Sequence, residues 1–187
     1  MLIVSCSFSG GKIPADHYYR LAEASVEKNS VFKVNNFLLN PVKVEGLYHE
    51  RSILYVEESA PLELKRYHYH YWVETPAKLV GKYVQSYLLQ TGISNNVSFN
   101  VTSHPADIET DITITNFERI IAQGSVQSLI SLRMSVKYSE NTKQNFSKLY
   151  TAKVTADSSA MHATAEAFGK ALNEIMDLFV ADLSNNI

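Results

Sequence analysis

Residues 125–138, SVQSLISLRMSVKY, decide the fold. Ile130, Leu132, Met134, Val136 and Tyr138 alternate there with Ser131, Arg133, Ser135 and Lys137. Successive side chains of a strand point to opposite faces, so the stretch predicts a long strand with one buried and one wet face. A sheet with a wet face is commonly antiparallel. The polar connection YSENTKQNF (138–146) leads into FSKLYTAKVTA (146–156), a second strand expected antiparallel beside the first. Upstream, NVSFNV (96–101) and DITITNF (111–117) read as strands. So do SVFKVNNFLL (30–39), closed by Asn40-Pro41, and RSILYVEES (51–59). In the latter, Ile53 and Tyr55 share one face, and Leu54 and Val56 the other.

LELKRYHYHYW (62–72) also alternates. Tyr67, Tyr69 and Tyr71 fall on one face, expected to be a core face beneath a helix. Arg66, His68, His70 and Trp72 fall on the opposite, interface-like face, which makes Trp72, His68 and His70 the candidate partner-binding residues. Helical spacing then takes over. Thr75 is placed to cap and Pro76 fits the first helical position. Leu79, Val80, Tyr83, Val84, Tyr87 and Leu88 form one apolar stripe, and Gly92 ends the helix. A second amphipathic helix is predicted in 158–183, with Met161, Ala165, Phe168, Leu172, Ile175, Phe179 and Leu183 as its stripe. Two helices with one apolar stripe each cover one face of one sheet. The expected class is α+β: two layers, a mostly antiparallel sheet, and two main helices packed on one face.

Composition narrows the function. An apolar fraction of 45% over 187 residues supports one real core. A net charge of −2 supplies no positive field, so no nucleic-acid partner is expected. No apolar run approaches the ~20 residues of a membrane-spanning helix. Catalytic patterns are scarce: there is no glycine-rich phosphate loop and no nucleophile elbow. His68 and His70, with His49, Glu50 or His104, are the nearest approach to a metal site, but two ligands do not make one. Ser103, His104 and Asp107 lie in SHPAD, ordinary loop chemistry, and closeness in sequence says nothing about a triad. No enzyme activity, cofactor or metal is expected. Cys6 is the sole cysteine and cannot form an internal disulfide. Residues 7–16, SFSGGKIPAD, read as a tether, with a short strand in HYYRL (17–21).

Several stretches together resemble a known family. They are Tyr18-Tyr19-Arg20-Leu21, GLYHERSILY (46–55), HYHYW (68–72) with VETPAKL (73–79), DITITNFERI (111–120), and the strand 125–138 after Gly124. Their order and spacing resemble the ABC-type transport auxiliary lipoproteins of PqiC-like pattern over about residues 18–183. Glu50 stands where that family usually has Asp, and residues 72–79 are longer than its motif.

That resemblance gives Cys6 a reading. Ile3-Val4-Ser5-Cys6 fits the end of a bacterial lipoprotein signal, with cleavage after Ser5 and lipid on Cys6. The implied division is a signal remnant (1–5), a lipidated cysteine and flexible tether (6–17), and a single α+β periplasmic domain (18–187). The resemblance implies an accessory lipoprotein of an ABC-type lipid transport system built around a mammalian-cell-entry (MCE) protein. Its partners would be the MCE protein, the ABC permease and ATPase, and the membrane through Cys6. Contact with phospholipid and homo-oligomerisation are left open. Ser7, in place of Asp, favours the outer membrane's periplasmic face of a Gram-negative envelope over the inner membrane. Two other classes stand beside this one: an envelope-assembly lipoprotein of a secretion, lipopolysaccharide-export or division complex, and a periplasmic metal protein or hydrolase using the histidines.

Overall fold

The computed structural model describes residues 14–26, 33–100, 105–140 and 143–185. Cys6 and the tether up to residue 13, and with them Ser103 and His104, lie outside the described residues. In chain order the elements are β1 (His17–Tyr19), β2 (Val34–Leu39), β3 (Lys43–Val44), a 3-10 turn (Gly46–His49), β4 (Ser52–Glu57) and β5 (Ala60–Trp72). They continue with α1 (Pro76–Thr91), β6 (Ser94–Ser98), β7 (Ile108–Ala122), β8 (Ser125–Tyr138), β9 (Phe146–Thr155) and α2 (Met161–Asn185). β8 carries the alternation its sequence predicts: Ile130, Leu132, Met134 and Val136 are buried, while Arg133 and Lys137 are exposed.

The sheet is mixed, which corrects the expected mostly antiparallel arrangement. β4–β5, β7–β8 and β8–β9 are antiparallel. β1–β5, β2–β6, and the pairs of β2, β3 and β4 with β7 are parallel. The cause is the length of β7, 15 residues, which gives three short strands room along one edge. Phe37–Leu39 pairs with Ile108–Thr110, Lys43–Val44 with Thr113–Ile114, and Tyr55–Glu57 with Arg119–Ile121. A chain that advances along one partner in successive pieces keeps one sense in all of them. The other edge of β7 pairs with β8 along nearly its whole length. A bulge between Ile114 and Asn116 switches which residues of β7 face the helices. Ile112 and Ile114 do so before it, and Phe117 and Arg119 after it.

α1 begins and ends at the predicted positions, although the Thr75 side chain makes no capping hydrogen bond. Pro76 occupies the first turn, and Gly92 takes the left-handed conformation (φ 75°) that closes the helix. Its six stripe residues are all buried, as are all stripe residues of α2 except the half-buried Met161. The segment after β1 crosses α2 at Gly169. A Cβ there would stand 2.9 Å from the Ala22 Cβ, so a bare backbone lets the segment pass.

Tyrosine hydroxyls tie the layers together. The Tyr83 hydroxyl donates to the Gly169 carbonyl (3.1 Å) and the Asn173 side chain (3.2 Å), and Tyr87 donates to Asp177. Tyr150 donates to Asp182 at 2.7 Å, and Lys148 pairs with the same carboxylate at 2.6 Å. Burial, then the carboxylate of Asp177, pushes the Tyr83 phenol up to about 12. Burial and their acidic partners raise Tyr87 and Tyr150 further still. A phenol whose folded pKa is raised contributes stability that is fully present below its unfolded pKa of ~10 and is lost as pH rises above it. Denaturation midpoints should therefore hold steady to about pH 10 and fall beyond it. Tyr87→Phe should flatten that alkaline fall.

Candidate functional site

The pairing of β4 with β5 breaks where the sequence looked most regular. Ser52 pairs with Tyr71 but Leu54 with Arg66, so residues 67–70 bulge opposite Ile53 alone. The bulge brings Tyr67 beside His70, their rings edge to face at 5.5 Å, although strict alternation would set them on opposite faces. From there an aromatic patch extends both ways. Tyr55 lies 4.4 Å from Tyr67, His17 stacks on His70 at 5.3 Å, and the Tyr19 hydroxyl bonds the His70 Nδ1 at 2.9 Å.

Beneath the patch lies Arg119, 6% exposed. Its guanidinium stands 5.6 Å from the Tyr67 ring centre and donates to the Ser159 carbonyl at 2.7 Å, just ahead of α2. A ring face and a carbonyl meet this charge, and no carboxylate pairs with it among the described residues. Burial lowers the His70 pKa, and the neighbouring His17 and Arg119 lower it further. A histidine whose folded pKa is depressed supports the fold while neutral, and that support is lost as pH falls below its unfolded value of ~6.5. Following His70 by NMR, His17→Ala should move its titration upward toward that value. An unchanged midpoint would separate the two rings electrostatically.

The candidate residues separate. His70 is half-buried in the patch, and His68 is exposed. Trp72 is neither: at 1% exposure it packs edge to face on Phe117 (5.5 Å) and Phe168 (5.1 Å). Its expected partner-facing position is corrected to the core, because α2 covers that end of β5. The tyrosine row is corrected too. Tyr69 is exposed and Tyr71 half-buried, stacked on Tyr18 at 5.7 Å, so the row is not a core face beneath a helix. His49 bonds the Gly46 carbonyl at 2.7 Å, and Glu50 pairs with Arg66 at 3.4 Å. Asp107 accepts the Asn35 and Asn36 amides at 2.7 and 3.0 Å. Among the described residues no three of His, Cys, Asp and Glu gather closely enough to hold a metal. Sequence reasoning missed His17, Tyr55 and Arg119. Only a register between distant strands brings them to His70, and no local pattern encodes that register.

A second concavity lies at the start of α1. Pro41, Val42, Ala77, Gly81 and Phe99 line a groove of about 540 Å³, with Glu74, Lys78 and Lys82 beside them. Its lining is mostly apolar, and Lys82 pairs with Glu74 at 2.6 Å.

No family model matches the chain, and no curated protein matches it. Solved structures do. Protein XCC0632 from Xanthomonas campestris, described under the family model DUF330, is 19% identical with a TM-score of 0.74, over 91% of this chain and 99% of that one. This is the same fold. The crystal structure of an uncharacterized protein gives a TM-score of 0.73 at 10% identity, over 91% of this chain and 99% of that one. The hypothetical protein CT253 from Chlamydia trachomatis gives 0.52 at 12% identity, over 82% of this chain and 98% of its own. At these identities the likeness is one of fold.

Proposed function

We propose that this chain is an accessory lipoprotein of an ABC-type, MCE-based lipid transport system, anchored through Cys6 at the periplasmic face of the outer membrane. One observation carries the reading: the stretches behind the family resemblance meet in space. Trp72 of HYHYW packs on Phe117 of DITITNFERI, and Tyr48 of GLYHERSILY bonds Glu118 of the same strand. That these separated stretches pack on one another supports reading them as one pattern. The same overall fold in XCC0632 supports it.

In this reading the domain docks the MCE component and does no chemistry of its own, the ATPase and permease being separate chains. The aromatic patch around His70, with exposed His68 nearby, is the docking surface. Aromatic side chains supply contact area at low entropic cost, which suits them to interfaces. In this reading the lipid on Cys6 supplies the anchor; no described helix is long and apolar enough to cross a membrane. Each buried CH₂ of an acyl chain contributes about 0.8 kcal/mol, and stable anchoring takes more than one chain, as a triacylated cysteine provides. Expressed with its native upstream sequence and fed labelled palmitate, the wild type should take up label and Cys6→Ala should not. Equal labelling of both, or of neither, overturns the anchor.

A further inference from the structure

An open sheet leaves main-chain donors and acceptors along its outer strands. Natural sheets blunt those edges with short strands, prolines, bulges or covering segments. Two outer strands here are short, β1 with 3 residues and β6 with 5. β9 has 10, contains no proline, and pairs with β8 without a register shift. Among the described residues β9 pairs with no other strand.

One contact fixes the phase of its hydrogen bonds. The Ala156 amide donates to the Val126 carbonyl at 2.8 Å, and the β8–β9 register continues unchanged from that pair. Hydrogen-bonded and non-bonded pairs alternate along an antiparallel ladder. Val154, Ala152, Tyr150 and Lys148 therefore turn their main chain toward β8, and Lys153, Thr151, Leu149 and Ser147 turn theirs outward. The hydroxyl contacts Ser131–Thr151 (2.9 Å) and Ser135–Ser147 (2.7 Å) agree, because side chains stand closer in non-bonded pairs.

Exposed leucines flank this edge. Leu149 is 52% exposed on the face away from the helices, and Leu178 of α2 is 54% exposed. Leu178 lies one turn before Asp182, whose carboxylate reaches β9, so the two share a side of the helix. Charge selects the occupant. β9 carries Lys148 and Lys153 and no acidic residue, so a second copy's β9 would offer these lysines no carboxylate. Asp182 already pairs Lys148, while Lys153 is exposed without an ion pair among the described residues.

We propose that the outer edge of β9 is a strand-addition site for an extended segment of a different protein, one that carries a carboxylate opposite Lys153 and apolar side chains beside Leu149. This surface lies apart from the His70 patch and does not depend on the lipid anchor or on transport.

The test places a photo-reactive benzophenone amino acid at position 149 of the full chain in its native host, with fully exposed Leu62 as the control position. The expected result is a cross-link from position 149 to a segment of another protein containing Asp or Glu. Thr151→Pro should abolish it, since proline removes an outward amide and leaves the β8 ladder intact. Lys153→Glu should lower its yield about tenfold, the scale of a charge pair made repulsive. If Thr151→Pro does not fold, the Lys153→Glu result decides alone. A yield no higher than at position 62 overturns the proposal. So does a cross-link to β9 of a second copy, or one that ignores the substitutions.

Discussion

Trp72→Ala should destabilise the domain by about 3–5 kcal/mol, the range for truncating a large buried aromatic. The indole is 1% exposed between Phe117 and Phe168 and joins β5, β7 and α2 in one cluster. Phe117 and Phe168 also touch each other, with ring centres 4.6 Å apart, so these two aromatic walls already brace one another and cannot simply close on the cavity. Single domains are stable by only ~5–15 kcal/mol, so the variant should sit close to its unfolding threshold at 37 °C. Urea unfolding measures this directly. His68→Ala, on the exposed side, should change stability by less than about 0.5 kcal/mol. A loss for Trp72→Ala as small as that would return the tryptophan to the surface, where its sequence context first suggested it.

Tyr48→Phe should cost about 2–3 kcal/mol, the upper part of the range for a hydrogen bond to a charged group. The hydroxyl donates to the carboxylate of Glu118, a residue only 7% exposed, and accepts from the Asn116 side chain at 3.2 Å. Burial first, and then Glu118, raises the Tyr48 phenol far above its ordinary value, which keeps it a donor at any physiological pH. Losing the hydroxyl leaves the carboxylate buried without its donor, and that penalty exceeds the value of the bond itself. The cost should therefore shrink when the acid goes too. Tyr48→Phe/Glu118→Leu should be more stable than Tyr48→Phe in the same urea titration. If the two losses simply add, Tyr48 and Glu118 do not act as a pair.

These two sites show what the sequence made legible. β8 and α1 could be read residue by residue because each has an unbroken period, and α1 also has Pro76 and Gly92 to mark its ends. The α+β class with two main helices followed from their single apolar stripes. The mixed sheet did not follow. β3 has only two residues, and nothing local in β2, β3 or β4 says that they share an edge of β7. The bulge in β5 was invisible for a related reason: HYHYW alternates perfectly on paper, while its pairing with β4 shifts register across residues 67–70. That shift carried Tyr67 to the side of His70. Trp72 kept its predicted face, but α2 covers that face. Nothing local in NFERII marks Arg119. The bulge after Ile114 turns it under the aromatic patch, where Tyr67 and the Ser159 carbonyl hold it.

We propose that this domain works by docking a lipid-transport partner at the envelope. Pull-down of the full-length lipidated protein from native envelopes, with the retained proteins identified, tests it most directly. The expected result is an MCE-family protein together with an ABC permease, with retention reduced by charge or bulk introduced at His68 and His70. Recovery of secretion, lipopolysaccharide-export or division components in their place would contradict it.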